Sequence, residues 1–219
     1  MAKPKPDPVK TRTLILDAAA SLIGSKGFRG LTMKQVAAEA GMAVGKIYKF
    51  FPDKSSLFIH LENRFSQGLL LLVEEQLTTQ QEPVRKFKHL LNVIYQYFSE
   101  NIGLVRISID PPYIHSDFVG TELETIADQE LAATMQVRLA VRNLIGDLSA
   151  TNDQQPEEVL DQQVLFLLNQ VTGLLLNSHS RNFPYMLGQD QLSETEQAGL
   201  ISYQLELVAS TLFHLHKAE

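Results

Sequence analysis

Basic and aromatic side chains recur within one short stretch, LTMKQVAAEAGMAVGKIYKFFPDKSSL at residues 31–57. Lysine and tyrosine donate hydrogen bonds to phosphate oxygens and base edges, so their spacing here suits a polyanion. Thr32 and Gln35 fit a capping box at the start of a short helix. Gly41 stands where a helix ends in a left-handed residue. A basic helix follows, so the stretch predicts a helix-turn-helix unit that faces DNA.

The expected chemistry of this unit is hydrogen bonding to DNA phosphates and bases. Lys46 and Lys49 would project from the second helix toward the major groove, and the Tyr48 hydroxyl can reach a phosphate. Each role has a structural alternative, namely capping for Thr32, core packing for Tyr48 and simple solvation for the lysines. The candidate DNA contacts are Thr32, Lys34, Ala43, Val44, Gly45, Lys46, Tyr48, Lys49 and Lys54.

Motifs for phosphate-loop binding, metal binding and nucleophilic catalysis are not formed by this sequence. The stretch 41–47, GMAVGKI, has three residues between its glycines and an isoleucine after the lysine, so it is not a phosphate-binding loop. His214 and His216 differ by two positions and fall on different helix faces, which does not suit a metal. No serine nucleophile elbow occurs. We therefore expect no catalytic residues, metal or cofactor, and no enzyme.

Charge is divided unevenly along the chain. Residues 1–56 hold ten lysines and arginines against four acidic residues, whereas residues 57–219 hold nine against twenty-one, giving +6 and −12. A basic head on an acidic body indicates that only the head meets a polyanion. The chain has no cysteine, and its start lacks the apolar segment of a signal peptide. We expect a cytoplasmic protein that does not engage a membrane.

Periodicity predicts an all-α fold without convincing strands. A disordered basic, proline-rich arm is expected at residues 1–8, and lysines there are candidates for a flexible contact to DNA. Leu14 and Ile15 belong to an apolar stripe that should pack the first helix on the helix-turn-helix unit. The predicted helices span 9–26, 33–40, 44–51, 53–79, 84–101, 103–109, 117–148, 156–180 and 193–217, with a loop at 181–191.

The last two predicted helices are apolar on two sides, as expected of helices buried on two sides. One interpretation places them at the centre of a single subunit. The other, which we favour, is an isologous four-helix interface in a homodimer. The residues assigned to that interface are Val164, Leu168, Val171, Leu175, Leu200, Tyr203 and Leu207.

A set of residues spread over positions 12–57 matches a known pattern without a gap. They are Ile15 to Ala19, Leu22, Gly27, Phe28, Leu31, Thr32, Val36, Ala37, Ala40, Gly41, Gly45 to Tyr48, Phe51, Lys54 and Leu57. With these residues, the segment resembles the DNA-binding domain of the TetR family of bacterial transcriptional regulators. Two positions depart from the family pattern. Ala43 stands where the family usually has a small hydroxyl residue before the recognition helix, and Phe50 stands where it often has His or Tyr.

The resemblance implies a helix-turn-helix domain at 9–56 and a larger helical ligand-binding and dimerisation domain at 57–219. It implies a homodimeric repressor that binds a near-palindromic operator in double-stranded DNA and is released by a small-molecule effector. The alternative is an all-helical small-molecule binding protein or enzyme whose head has lost DNA affinity. Candidate pocket residues are Phe87, Leu91, Tyr95, Phe98, Tyr113, His115, Phe118, Met135, Arg138, Phe166, Asn169 and Thr172.

Overall fold

The computed structural model of the protein describes residues 7–79, 81–148, 156–180, 183–186 and 191–215, and these ranges contain helices and connecting turns but no strand. The all-α prediction is therefore confirmed. In chain order the helices are α1 (Pro8–Lys26), α2 (Met33–Glu39), α3 (Val44–Phe50), α4 (Lys54–Leu77), α5 (Pro83–Glu100), α6 (Ile102–Ile109), α7 (Glu124–Asp147), α8 (Glu157–Ser178), α9 (Phe183–Met186) and α10 (Glu194–Leu215).

The chain divides into two compact units. The first comprises Met1–Gly68 and Asn101–Thr134, and the second comprises Leu69–Glu100 and Met135–Glu219. In the first unit α1 packs on α2 and α6, and α2 packs on α3. In the second unit α5, α8 and α10 pack against one another. The domain boundary between residues 56 and 57 stays a prediction.

Side-chain caps fix the helix starts in the head. The Thr32 hydroxyl accepts from the Gln35 N–H at 3.3 Å, while the Gln35 side chain accepts from the Thr32 N–H at 2.9 Å. An Asp53 carboxylate oxygen accepts from the Ser56 N–H at 2.7 Å at the start of α4. This hydrogen bond is the main cause that lowers the pKa of Asp53. Gly41 has φ +63°. The predicted capping box and left-handed turn are confirmed, and Asp53 caps α4 in the same way.

The head is held together by apolar residues from every one of its short helices. Neither α2 nor α3 exceeds seven residues, too few for an isolated helix to persist in water. Their stability comes from packing of an inner face instead. The buried set in this unit includes Ile15, Ala19, Leu22, Ile23, Val36, Ala37, Ile47, Phe51, Leu57 and Leu61.

Three sequence expectations are wrong. The helix expected from residue 117 begins only at Glu124, because Asp117 closes a 3-10 turn and Gly120 adopts φ +75°, which stops a right-handed helix. The loop expected at 181–191 contains the four-residue helix α9, while its remaining residues up to 190 lie outside the described ranges. Leu14 is exposed rather than packed.

Other expectations fall at the edges of what the structure describes. Residues 1–6 of the predicted arm and residues 216 and 217 of the last predicted helix lie outside the described ranges. Helix α1 already begins at Pro8, with Asp7 accepting a hydrogen bond from the Val9 N–H at 2.9 Å. Helix α8 is long and apolar enough to cross a membrane by length and composition alone, and it packs on α5 and α10 within its unit.

Candidate DNA-binding surface

The recognition-helix candidate, α3, buries one face and exposes the other. Ile47 and Phe51 are completely buried and fix the inner face. On the outer face Tyr48 is 48% exposed and Val44 is 37% exposed. A large apolar or aromatic side chain left in solvent beside such well-packed neighbours is available to a partner. The rotation of α3 is thus set by its core residues, which leaves the predicted contact residues facing outward.

The lysines of α3 also lie on accessible positions. Lys49 is exposed and Lys46 is half-buried. Gly45 is exposed, and a methyl group built on it would meet nothing within 4 Å. The start of α3 thus presents bare backbone and flexible cations at one surface, an arrangement that lets a helix approach a groove closely.

The first residue before α3 offers no side-chain cap. Ala43 occupies the N-cap position with extended backbone, φ −68° and ψ 140°, and makes no side-chain hydrogen bond. The N–H groups in the first turn of a helix normally find a hydroxyl or carboxylate there. These N–H groups are donors at a positively polarised helix end, which favours an anion.

The flanking candidates are more constrained than α3. The Thr32 hydroxyl lies 2.9 Å from the Gln35 side-chain oxygen, so a phosphate would have to compete for its single proton. Lys34 is exposed. The Lys54 ammonium donates to the Arg29 carbonyl at 3.3 Å and lies 4.5 Å from the Phe28 ring centroid. Partial burial there lowers the pKa of Lys54.

An unpredicted cluster connects α1 to α4 behind the recognition helix. The Arg12 guanidinium lies 5.1 Å from the Phe51 ring centroid and donates from Nη1 to Nε2 of His60 at 3.1 Å. Burial and the Arg12 charge lower the pKa of His60 to about 4, so its ring is neutral and can accept this bond. Nothing in the sequence indicates that Arg12 has a partner 48 positions away.

The predicted pocket residues are divided between the two units. Phe87, Leu91, Tyr95 and Phe98 are buried on α5 in the second unit, and Thr172 is half-buried on α8. In that unit Met135, Phe166 and Asn169 are exposed, and Arg138 pairs with Asp161 at 3.3 Å. In the first unit Tyr113 lies 6.1 Å from Phe118, centroid to centroid, and His115 lies 2.8 Å from Asp128.

A polar network closes one end of the buried α5 set. The Tyr95 hydroxyl lies 2.8 Å from that of Ser178, and burial raises the pKa of Tyr95. Ser99 lies 3.0 Å from Nε2 of His179. The predicted pocket wall on α5 is thus packed as core, with its polar end already satisfied.

The predicted interface residues split into two groups. Val164, Val171 and Leu175 are buried within the chain. Leu168 and Leu200 are half-buried, whereas Tyr203 and Leu207 are exposed on α10. Two further apolar side chains, Leu165 and Phe166, are exposed on α8.

A groove of about 440 Å³ lies between α8 and α10 in the second unit. Among the residues that the structure describes, none of those lining the groove is charged. Its lining residues are amide-bearing, apolar or glycine: Asn169, Gln170, Gly173, Leu174, Asn177, Phe183, Leu200, Gln204 and Val208. Only Asn169 and Leu200 of this set were singled out from the sequence.

Comparison with known proteins places the head in a family. Residues 15–61 match the sequence model of the bacterial regulatory proteins of the tetR family. The nucleoid occlusion factor SlmA of Shewanella woodyi is 24% identical over 106 residues, covering 48% of this chain and 52% of SlmA. YvkB of Bacillus subtilis, an uncharacterized HTH-type transcriptional regulator, is 25% identical over 109 residues, covering 50% of this chain and 56% of YvkB. Both matches span about half of the relative's length.

Solved structures share the fold over most of the chain. The TetR family transcriptional regulator PfmR from Thermus thermophilus superposes with a TM-score of 0.64 at 13% identity, covering 90% of this chain and 97% of PfmR. The transcriptional regulator FadR from Bacillus subtilis, solved in complex with stearoyl-CoA, superposes with a TM-score of 0.62 at 14% identity, over 90% and 97%. The head at residues 15–61 thus matches the tetR family of bacterial regulatory proteins, and the chain shares its overall fold with solved regulators of this family.

Proposed function

We propose that the protein is a cytoplasmic, homodimeric, sequence-specific DNA-binding regulator, acting as a repressor that a small molecule releases from a near-palindromic operator. The observation that carries this proposal is the outward face of α3, where Tyr48 and Val44 are exposed while Ile47 is fully buried. The basic charge of residues 1–56 supports the same conclusion, because phosphate neutralisation dominates DNA affinity.

The dimer proposal rests on the exposed apolar face of α8 and α10. Leu165, Phe166, Tyr203 and Leu207 are all large side chains left in solvent on these two helices. From 162 to 178 the sequence of α8 contains no charged residue. Several large apolar side chains exposed on two helices that pack together are typical of an interface. A two-fold axis at this face would pair each helix with its own copy.

The effector proposal rests on the second unit. The groove between α8 and α10 has the size of a small-molecule site. Its amide groups can both donate and accept hydrogen bonds, and the lack of charge among its described lining residues favours an uncharged ligand. The related fold that holds stearoyl-CoA supports effector binding in general without naming this chain's ligand.

The decisive experiment selects bound sequences from a random duplex pool, then measures affinity for the selected site at several salt concentrations. We expect one near-palindromic site and a steep decline of affinity with salt, since each phosphate contact contributes a slope of about −0.9. Tyr48→Ala and Lys54→Ala should weaken all sites, and Lys54→Ala should flatten the salt slope by about one. Lys46→Ala should also change the preferred sequence.

The matched control is Arg85→Ala, which removes a positive charge from an exposed position on α5 outside the head. It should leave affinity and salt slope unchanged. Binding that is weak and without sequence preference at low salt would refute the regulator proposal and favour a small-molecule binding protein. A Lys46→Ala effect equal on all sequences would refute base reading by Lys46 alone.

A further inference from the structure

A buried carboxyl group lies in the first unit, away from the DNA-facing surface of α3. Glu62 on α4 is only 7% exposed. Its Oε2 lies 2.6 Å from the Ser108 hydroxyl on α6, and its Oε1 is buried without a hydrogen-bond partner among the described residues. An ionised carboxylate in such a place is costly unless donors surround it. Glu62 has one donor at most.

The protons around Ser108 can be counted. Its Oγ lies within hydrogen-bond distance of both Glu62 Oε2 and the Leu104 carbonyl, the latter at 3.0 Å. A serine hydroxyl holds one proton, and a carbonyl can only accept. If Glu62 is ionised, Ser108 can satisfy one of these two contacts but not both. If Glu62 is protonated, it donates to Ser108 and Ser108 donates to Leu104, so both contacts are hydrogen bonds.

A second carboxyl group lies nearby on α7. One Glu130 oxygen lies 2.8 Å from the Ser66 hydroxyl and 2.9 Å from the Thr134 hydroxyl. The two hydroxyls also lie 3.1 Å apart, so their two protons serve three contacts. Ser66 is one helical turn beyond Glu62 on α4, so the two carboxyl groups face one seam.

We propose that the carboxyl group of Glu62 is a proton-binding site that fastens α4 to α6 when it is occupied and weakens this seam when it is empty. This inference goes beyond the proposed function and does not depend on it. The proton leaves to solvent as pH rises, and Ser108 then turns its hydrogen toward Glu62 and releases Leu104. The empty state also places a second negative charge beside Glu130.

The electrostatics agree with this geometry. Burial, and to a smaller extent the Glu130 charge, raise the pKa of Glu62 to about 7 from 4.5, against an opposing effect of the Ser108 hydrogen bond. Several other charged groups on the neighbouring elements are exposed or paired at the surface, including Asp17 with Arg64, Arg29 with Asp110, His115 with Asp128, and the exposed Arg106. Glu124 on α7 is half-buried and accepts from the Gly120 N–H at 3.0 Å.

The sign of the effect follows from the direction of the shift. Because the pKa of Glu62 is higher in the fold than in the unfolded chain, its contribution to stability is complete below about pH 4.5 and is lost as pH rises toward about 7. His60 acts oppositely: its pKa is lowered from 6.5 to about 4, so its contribution is lost as pH falls through that range. Glu62 must therefore be isolated by comparing variants at the same pH.

The test is chemical unfolding of the full chain and of Glu62→Gln between pH 5 and pH 8. Glutamine keeps the shape and a donor but cannot titrate. We expect the unfolding equilibrium constant of the unaltered chain, relative to that of E62Q, to rise about 70-fold across this range. The control Glu74→Gln, at an exposed position on the same helix, should give a ratio that does not change with pH. An unchanging ratio for E62Q would overturn the proposal.

A second measurement decides the matter even if E62Q does not fold. Carboxyl carbon resonances of the unaltered full chain should include one glutamate that titrates near pH 7. In Glu130→Gln this midpoint should move to lower pH, since the neighbouring charge is gone, which a purely structural role would not produce. The absence of any glutamate titrating between pH 6 and pH 8 would overturn the proposal. Neither measurement involves DNA, so failure of the regulator proposal would remain distinguishable.

Discussion

A contact between two glycines gives the most direct test of how α1 and α6 pack together in the first unit. Gly103 is the second residue of α6, and a Cβ built on it would lie 2.7 Å from the backbone nitrogen and 2.8 Å from the Cα of Gly24 on α1. Real Cβ atoms are essentially never found this close to the backbone atoms of another segment. Neither atom is a flexible side-chain end, so Gly103→Ala forces one helix to move away from the other.

The magnitude follows from two opposing effects. Inserting a methyl group into a well-packed contact costs about 1–3 kcal/mol. Alanine in place of glycine in a helix returns up to about 1 kcal/mol, and less at a helix start. We expect a net loss of about 1–2 kcal/mol. For a chain of this size each kcal/mol corresponds to about 2–4 °C in melting temperature.

Gly24→Ala is the matched control, because it alters the other glycine of the same contact. A Cβ on Gly24 meets nothing within 4 Å, so this variant should gain about 0.5–1 kcal/mol from helix propensity alone. Thermal and urea unfolding followed by circular dichroism measure both variants. If Gly103→Ala is as stable as the unaltered chain, or if both variants shift alike, α1 and α6 do not meet as described.

Two further predictions concern the start of α3 and the proposed dimer face. Ala43→Ser supplies the missing cap and should stabilise the chain by about 1 kcal/mol while tightening operator binding. Its control, Ala38→Ser inside α2, should instead destabilise the chain slightly. Equal changes in unfolding free energy for the two variants would contradict the role of the cap. Leu207→Glu should convert the dimer to monomer in sedimentation, whereas Leu71→Glu, also exposed on its helix, should stay dimeric. A dimer that survives Leu207→Glu would place the interface elsewhere.

Local signals in the sequence predicted the head well, since its helix boundaries are set by neighbouring residues. The Thr32 and Gln35 pair lies three positions apart and forms both expected hydrogen bonds. The same holds for the start of α10, where Ser193 and Glu196 bond reciprocally at 2.9 and 3.3 Å. Such caps depend only on two residue types three positions apart, and this pattern can be seen directly in the sequence.

Contacts between distant residues were not predictable. Gly103 meets Gly24 across 79 positions, and Ser108 meets Glu62 across 46. In the sequence alone, nothing distinguishes these residues from any other glycine, serine or glutamate. Only the packing of α1, α4 and α6 turns a glycine into a close backbone contact, or a glutamate into a buried acid.

The candidate pocket residues stay a prediction for a related reason. Periodicity identifies which side chains face inward, but it does not distinguish a packed core from the wall of a cavity. Phe87 and Leu91 are among the most buried side chains of the second unit. The groove between α8 and α10 is instead lined partly by amides such as Gln170 and Gln204, which a search for apolar walls passes over.

In this head, the proposed DNA contact and the stability of the fold depend on the same short helix, α3. A seven-residue recognition helix has no stability of its own, so Tyr48 faces outward only because Ile47 and Phe51 hold the inner face. Phe51 in turn packs edge-on against His60, with ring centroids 5.4 Å apart, and beneath Arg12. The orientation of Tyr48, a proposed DNA contact, is therefore determined by a partly buried cluster behind it, and substitutions in that cluster should alter the proposed DNA binding through α3.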